Sequence, residues 1–245
     1  MKKLKFLIII TLSYVFGLIS FRNELFPLNL YRTLVHGSPI GDCPVVDKTK
    51  LFEIREIFSN IQKGKSIFWG NSVVEGMHDS RFYGANKFVE IGHSGQVLRC
   101  ALNEVDFLIS AQPEEVLIYL GGNDADGQSG DSPKEVIIYY EKIVDKLLAA
   151  NIKVILHQIH YASKGLKGEL TWGRDWNYVE KLNKGISEIA NKNKLLVIPP
   201  LNKFKYFESK DEIRKNSKYT YDGEHLTVEG YKIWIEHIKK WIPYF

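Results

Sequence analysis

The sequence predicts an α/β fold, a three-layer α/β/α sandwich with a five-stranded parallel sheet at its centre. Five short apolar runs alternate along the chain with longer stretches that repeat apolar residues at helical spacing. This alternation is typical of βαβ units, in which helices cover both faces of a parallel sheet. A chain of 245 residues with 44% hydrophobic residues can bury one such core with little left over, so we expect one globular domain.

The predicted elements follow one another in a regular order. Apolar residues at helical spacing predict a first helix within residues 51–61, which Gly64 ends. The apolar runs predict strands at Ser66–Trp69, Lys87–Ile91, Glu115–Leu120, Lys153–His157 and Leu195–Ile198. The amphipathic stretches predict helices at Val97–Ile109, Lys134–Ala150, Tyr178–Asn191 and Thr227–Trp241.

Residues 1–21 have the composition of an N-terminal signal anchor or signal peptide. Lysines at positions 2, 3 and 5 precede an uncharged, mostly apolar stretch from Phe6 to Phe21, a combination that directs a chain to the membrane. Bulky residues stand where a cleavage site needs small ones, which favours an anchor over a removed signal peptide. The positive-inside rule places the rest of the chain outside the cytoplasm, periplasmic or secreted. Residues 22–64 are expected to connect this segment to a domain at 65–245.

Charge and cysteine content narrow the partners and leave one question open. Three lysines of the N-terminal segment account for most of the formal net charge of +4, so the remainder lacks the basic stripe that nucleic acid usually requires. The chain has two cysteines, Cys43 and Cys100. In an oxidising compartment they can form a disulfide, and the alternative is two unpaired thiols.

Ser72 and the pair Asp222 and His225 point to serine-based ester hydrolysis. A hydroxyl is a weak nucleophile, so it needs an imidazole within hydrogen-bond reach and a third group that orients the imidazole. The i,i+3 spacing of Asp222 and His225 lets the carboxylate meet one ring nitrogen while the other faces outward. Ser72, Gly95 and Asn123 each follow a different predicted strand, and ligands bind at the carboxyl ends of parallel strands. We therefore expect these residues to gather at one sheet edge.

With these residues identified, the chain resembles the SGNH (GDSL-type) hydrolase superfamily. The resemblance covers roughly residues 65–242 and implies the flavodoxin-like fold of that superfamily. Its four sequence blocks occur in order, namely Gly70-Asn71-Ser72, Ile91-Gly92-His93-Ser94-Gly95, Gly121-Gly122-Asn123-Asp124 and Asp222-Gly223-Glu224-His225-Leu226. A nucleophile elbow of the α/β-hydrolase type would need glycine where Val74 stands, which argues against that fold.

The resemblance implies a role for each residue. Ser72 attacks the ester carbonyl, His225 accepts and returns the proton, and Asp222 orients the imidazole. The oxyanion hole consists of the backbone N–H groups of Ser72 and Gly95 and the side-chain amide of Asn123. Asn71 replaces the family's usual aspartate as a residue that braces the loop.

Two further departures from the family pattern lie in the second block. Glu90-Ile91 replaces a frequent Asn-Arg, and Gln96 replaces a frequent Asp.

The sequence gives weaker indications about what the site binds. We predict substrate contacts from His93 and His160 and from two aromatic residues after the fourth strand, Trp172 and Trp176, although such aromatics can instead cap the core. The polar residues of that loop favour a glycan or another polar ester over a long-chain lipid. His157 and His160 lack the third ligand that a zinc site requires, so we expect neither a metal nor a cofactor.

Four functional hypotheses follow. The first is a membrane-anchored esterase that removes a small acyl group, such as acetyl, from a carbohydrate or cell-envelope glycan. The same chemistry also fits a lipase or lysophospholipase, and an acyltransferase that passes the acyl group to a sugar hydroxyl. A glycan-binding module that has lost catalysis is the alternative of a different class.

Overall fold

The computed structural model of the chain describes residues 55–61, 63–77, 88–163, 174–201, 205–207, 218–220 and 222–245. All of them belong to the compact unit Pro44–Phe245. Its centre is a five-stranded, all-parallel sheet in the order β2-β1-β3-β4-β6. These strands are β1 (Ser66–Asn71), β2 (Phe88–His93), β3 (Glu115–Tyr119), β4 (Lys153–His157) and β6 (Leu196–Ile198). A second, two-stranded sheet joins β5 (Ala162–Ser163) to β7 (Lys205–Phe207).

Two short helices and four long ones accompany the sheet. They are α1 (Ser72–Glu75), α2 (Leu98–Ser110), α3 (Gly122–Ala125), α4 (Pro133–Ala149), α5 (Trp176–Asn193) and α6 (Val228–Lys239). Helix α4 packs against both α2 and α5. The α/β fold class, the five strands and the four long helices predicted from the sequence are confirmed. Of the predicted first helix, residues 55–59 are described and are helical.

Helix α6 packs on the sheet through one large side chain. The ring of Trp234 is fully buried and lies 5.5 Å from Phe68 on β1, 5.0 Å from Tyr119 on β3 and 5.7 Å from His157 on β4. Burial of an aromatic ring removes a large apolar area from water, typically 150–250 Å². This contact fixes α6 relative to three neighbouring strands, and with it the loop that precedes the helix.

Side-chain hydrogen bonds cap the N-termini of the long helices α4 and α5. The Ser132 side chain accepts a hydrogen bond from the Glu135 backbone, and Glu135 reaches back to Ser132, which forms a capping box before α4. The Asp175 carboxylate accepts a hydrogen bond from the Asn177 backbone N–H, so α5 begins two residues earlier than the apolar spacing predicts.

Several sequence predictions concern residues outside the described ranges. The N-terminal signal segment 1–21, Cys43 and Trp172 are among them, and the predicted membrane anchor and its localisation stay predictions. Cys100 lies buried in α2 and is disulfide-bonded. None of the helices in the described ranges is long and apolar enough to cross a membrane.

Strand β2 and helix α1 approach each other closely at Gly92. A methyl group built on Gly92 would lie 1.8 Å from the backbone nitrogen of Glu75 and 2.3 Å from its Cα. Backbone atoms within a helix turn cannot rotate away from such a clash as a side-chain end can. Glycine at position 92 therefore permits the contact that holds α1, the helix that begins with Ser72, against the sheet.

The replacement Gly92→Ala should lower the free energy of unfolding by about 1–3 kcal/mol, the usual cost of overpacking. Denaturant unfolding measures this loss. Gly185→Ala is the matched control, because its added methyl meets only side-chain atoms of Ile137, which can change rotamer. Equal stability of Gly92→Ala and the wild type would contradict the close approach.

Candidate active site

Ser72 stands at the junction of β1 and α1. The strand ends at Asn71, whose buried side-chain oxygen accepts a hydrogen bond from the backbone N–H of Val73 at 3.1 Å. This bond caps α1 and turns the chain sharply after the strand. The turn places Ser72 at the carboxyl edge of the sheet, in the first position of the helix.

His225 and Asp222 meet Ser72 from the C-terminal end of the chain. The Nε2 atom of His225 lies 2.9 Å from Ser72 Oγ, and its Nδ1 atom lies 2.6 Å from Asp222 Oδ2. A carboxylate only accepts hydrogen bonds, so Nδ1 carries the proton and Nε2 is the acceptor for the serine hydroxyl. The side chains of His225 and Asp222 are 28% and 32% exposed, which leaves the pair open to solvent on one side.

The loop before α6 is folded around the Asp222 carboxylate. Its Oδ1 atom accepts hydrogen bonds from the backbone N–H groups of Glu224 at 2.9 Å and His225 at 2.7 Å. Gly223 has a φ of +93°, in the left-handed region that favours glycine. This turn directs Oδ2 of the same carboxylate toward the imidazole.

The hydrogen bonds of the pair shift both pKa values in opposite directions. Burial opposes ionisation of Asp222, but hydrogen bonds from the His225 ring and from two backbone N–H groups outweigh it and lower its pKa. The hydrogen bond to Asp222 raises the pKa of His225, partly offset by desolvation. Asp222 is thus ionised at neutral pH and stabilises a protonated imidazole.

Asn123 is held with its amide in one orientation. Its Nδ2 atom donates to the backbone carbonyl of Gln96 at 2.9 Å, and its Oδ1 atom accepts from Gln128 Nε2 at 3.3 Å. An amide nitrogen has two hydrogens, so one remains for another acceptor. Gly95, next to Gln96, has a φ of +76° and closes the turn after β2.

A buried polar chain supports the Gly95–Gln96 segment from behind. The Gln96 side chain accepts from His93 Nδ1 at 2.9 Å and donates to Glu104 Oε2 at 2.7 Å. Glu104 is 1% exposed, and its burial raises its pKa to about 7 against the lowering effect of the Gln96 hydrogen bond. The fully buried Gln96 therefore ties the turn after β2 to helix α2.

The predicted catalytic and oxyanion residues border a common cavity of about 190 Å³. Ser72, Gly95, Asn123 and His225 line it, and Asp222 contacts His225 from outside the lining. Three residues that the sequence analysis gave no role complete the lining, namely Ser94, Gln128 and Glu224. Gln128 follows the third family block, and Glu224 lies within the fourth. Nothing in residue type or spacing distinguishes either of them from an ordinary loop residue.

The predicted substrate-binding residues that the structure describes are absent from this lining. His93 and Trp176 do not line the cavity, and Trp172 lies outside the described residues. Trp176 packs edge-on against the ring of Tyr161 at 6.0 Å. These positions assign no substrate contact to His93 or Trp176 in this conformation.

His160 is placed differently from its prediction as a pocket-wall residue. It is 3% exposed, its Nδ1 atom accepts the Leu201 backbone N–H at 3.1 Å, and its ring lies 5.3 Å from that of Tyr119. The His160 side chain packs within the aromatic cluster around Trp234, because an uncharged imidazole packs as a flat ring. Burial lowers the pKa of His160 well below its usual value, which keeps the ring neutral.

His157 makes a matching pair of hydrogen bonds inside the core. Its Nδ1 atom donates to the Gln158 carbonyl at 2.6 Å, and its Nε2 atom accepts from Trp234 Nε1 at 3.0 Å. Both ring nitrogens are thus used within the protein. Among the described residues, no group of three histidine, cysteine, aspartate or glutamate side chains could hold a metal ion.

The geometry can be compared with known proteins. A model of the GDSL-like lipase/acylhydrolase family matches residues 68–233. No curated protein matches the chain.

Several solved structures share the fold of this chain. A GDSL-like lipase from Bacteroides thetaiotaomicron is 23% identical, with a TM-score of 0.67 over 80% of this chain and 98% of that one. A lipase/acylhydrolase from Enterococcus faecalis is 20% identical, with a TM-score of 0.55 over 72% and 94% of the two chains. The acetylxylan esterase Axe2 from Geobacillus stearothermophilus is 15% identical, with a TM-score of 0.54 over 76% and 97%.

The buried Glu104 leads to a prediction about stability and pH. Its pKa is raised from 4.5 to about 7 in the folded state, so the protonated form stabilises the fold and this contribution is lost as the pH rises through 7. Glu104→Gln keeps an acceptor for Gln96 and does not titrate. Between pH 4.5 and about pH 8, its free energy of unfolding should therefore rise relative to the wild type by up to about 3 kcal/mol.

Denaturant unfolding at a series of pH values measures this difference. Glu188→Gln, on the exposed face of α5, is the control and should show no comparable trend. A constant difference between Glu104→Gln and the wild type across this range would contradict the prediction.

Proposed function

The chain belongs to the GDSL-like lipase/acylhydrolase family, and we propose that it is a serine ester hydrolase in which Ser72, His225 and Asp222 form a catalytic triad. The observation that supports this proposal is the continuous hydrogen-bonded chain from Asp222 through His225 to Ser72, which ends at a cavity also lined by Gly95 and Asn123. A nucleophile, a base and an orienting carboxylate at hydrogen-bond distances are the requirement for acyl transfer through a serine.

In the proposed first step, Ser72 Oγ attacks the carbonyl carbon of the ester. Its proton passes to His225 Nε2, the nitrogen that accepts the serine hydroxyl. The carbonyl bond becomes a single bond to an oxyanion. When this tetrahedral intermediate collapses, His225 returns the proton to the leaving alcohol, and the acyl group remains on Ser72. Asp222 stays ionised and stabilises the imidazolium.

The proposed oxyanion hole consists of three N–H donors. Ser72 is the first residue of a helix, where backbone N–H groups have no partner within the helix. Gly95 lines the cavity in a backbone conformation that glycine adopts without strain. The second Nδ2 hydrogen of Asn123 completes the set, because the first is engaged by Gln96. Preorganised donors of this kind need no rearrangement as the negative charge develops.

Hydrolysis of the acyl-enzyme repeats the sequence with water as the nucleophile. His225 Nε2 removes a proton from the water, the oxyanion re-forms, and the carboxylic acid leaves as Ser72 regains its hydrogen. A sugar hydroxyl in place of water would make the same site an acyltransferase, because the steps are chemically equivalent.

We further propose that the substrate is a small acyl ester, in particular an acetyl ester of a carbohydrate. The described residues enclose only about 190 Å³ at the nucleophile, less than the roughly 300–1,000 Å³ of ordinary ligand pockets. Ser94, Gln128 and Glu224 also line it, and residues of these polar types suit a sugar ester. The acetylxylan esterase among the similar folds is consistent with this proposal.

Single substitutions test the catalytic roles. Ser72→Ala and His225→Ala should abolish turnover of a chromogenic acetyl ester. Asn123→Ala should lower kcat by about 10²–10³-fold, the usual cost of one oxyanion donor. A serine-directed fluorophosphonate should label the wild type at Ser72 but not Ser72→Ala. Undiminished turnover by Ser72→Ala would refute the triad, and an unlabelled, inactive wild type would favour a binding module.

A series of esters of one alcohol, from two to sixteen acyl carbons, tests the substrate class. We expect kcat/KM to be highest for acetyl and to fall steeply beyond a few carbons, because the cavity at Ser72 is small. A maximum at long chains would favour the lipase or lysophospholipase alternative. Ester formation on an added glycan acceptor would identify a transferase.

A further inference from the structure

Beneath the candidate site lies a buried charge cluster, which we define as Arg174, Asp126 and Glu224. The Arg174 guanidinium is 1% exposed. Its Nε atom lies 3.3 Å from Asp126 Oδ1, and its terminal nitrogens donate to Glu224 Oε1 and, at 2.7 Å, to the carbonyl of His160. The cluster therefore connects the segment after α3 and the segment after β4 to the turn around Asp222. All three reach the carboxyl edge of the sheet.

Arg174 also packs against the backbone that leads to Asn123. A methyl group built on Gly122 would lie 2.6 Å from a terminal nitrogen of Arg174. The guanidinium thus lies against the backbone immediately before Asn123. One buried cation contacts both the segment that carries the predicted oxyanion donor and the loop that carries His225.

Glu224 is fixed from two directions. Its backbone N–H donates to Asp222 Oδ1 at 2.9 Å, while its side chain accepts from Arg174. It is the residue between Gly223 and His225, so its position limits where the His225 backbone can lie. Ionic contacts buried this deeply keep one geometry, because separating the charges would leave one of them unpaired away from water.

We propose that Glu224, held by the Arg174–Asp126 pair, is a positioning residue for His225 that also determines part of its electrostatic environment. This inference rests on the proposed function, in which His225 is the general base. Glu224 lines the cavity together with His225 and directly precedes it in the chain.

The charges around His225 shift its pKa in different directions. Asp222 raises the pKa of His225 most strongly, Glu224 raises it further, and Arg174 lowers it. In the cluster itself, burial raises the pKa of Asp126, and Arg174 opposes this effect. Burial thus favours the neutral form of Asp126. Among the described residues, Tyr119 on β3 also faces the cluster, and Ser72 on α1 faces the imidazole.

The test is the pH profile of kcat/KM on a chromogenic acetyl ester. Only the neutral imidazole accepts the Ser72 proton, so activity rises with pH through the pKa of His225. Glu224→Gln keeps an acceptor for Arg174 but removes the negative charge. The midpoint of the acid limb should move to lower pH by about half a unit, the size expected for one charge at several ångströms in a solvated site.

Two further variants separate charge from structure. Asp126→Asn makes the same acid-to-amide change in the cluster but keeps Glu224, and its midpoint should stay within about 0.2 units of the wild type, well below the half unit expected for one charge. Glu224→Asp keeps the charge but shortens the reach to Arg174, so its midpoint should stay while kcat falls by up to about 10²-fold, the cost that a misplacement of about 1 Å can carry.

An unshifted midpoint in Glu224→Gln, or equal shifts in Glu224→Gln and Asp126→Asn, would overturn the inference. If Glu224→Gln does not fold, Glu224→Asp decides: lowered kcat at the wild-type midpoint supports positioning, and wild-type kcat overturns it. Ser72→Ala, assayed in parallel, distinguishes a failure of this inference from a failure of the proposed function. If Ser72→Ala is inactive and the profiles do not differ, only the role of Glu224 fails; if Ser72→Ala is active, the proposed function itself fails.

Discussion

The hydrogen bond between Ser72 Oγ and His225 Nε2 joins residues that are 153 positions apart, and the remaining geometry of the site depends on it. Two features of the fold keep the bond at 2.9 Å. Trp234 anchors α6 to the sheet, and the buried Tyr231 hydroxyl donates to the Val73 carbonyl at 2.9 Å, which links α6 directly to α1. The helix after His225 is therefore bonded to the helix that begins with Ser72. A loop held only at one end would sample many positions, and proton transfer requires one of them.

The opposite side of the cavity is built on buried amides rather than charges. Asn123 donates to the Gln96 backbone and accepts from Gln128, and the Gln96 side chain joins His93 to Glu104. An amide has a donor and an acceptor at fixed positions, so each link allows only one orientation of the next. The carboxyl group at one end of this chain, that of Glu104, has a pKa raised to about 7. This raised pKa favours the neutral form of Glu104 and so limits the negative charge behind the proposed oxyanion donors.

The sequence was sufficient for the sheet and for the residues that the family blocks contain. Strands β1 to β4 contain apolar runs, as strands of a parallel sheet covered on both faces do, and β1 and β2 end in family blocks. Arg174 could not be identified in this way, because an arginine in a polar loop is usually solvated, and only the folded positions of Asp126 and Glu224 provide its partners. The buried position of His160 could not be predicted for the converse reason. A histidine after a strand looks like a site residue, but its location inside the aromatic cluster depends on Trp234, more than seventy positions away.

The charge cluster of Arg174, Asp126 and Glu224 explains why the residue at position 71 is neutral. Capping of α1 uses only the side-chain oxygen of Asn71, so an amide serves this purpose as well as the family's usual carboxylate. Asn71 is fully buried, and its Nδ2 atom and the Arg174 guanidinium lie against the same point on Gly122. Arg174 already faces two acidic side chains, Asp126 and Glu224. A third carboxylate at position 71 would add a buried negative charge without a counter-charge of its own, and such a charge is costly. Asparagine at this position and the Arg174 cluster are therefore two parts of one electrostatic arrangement beside Ser72.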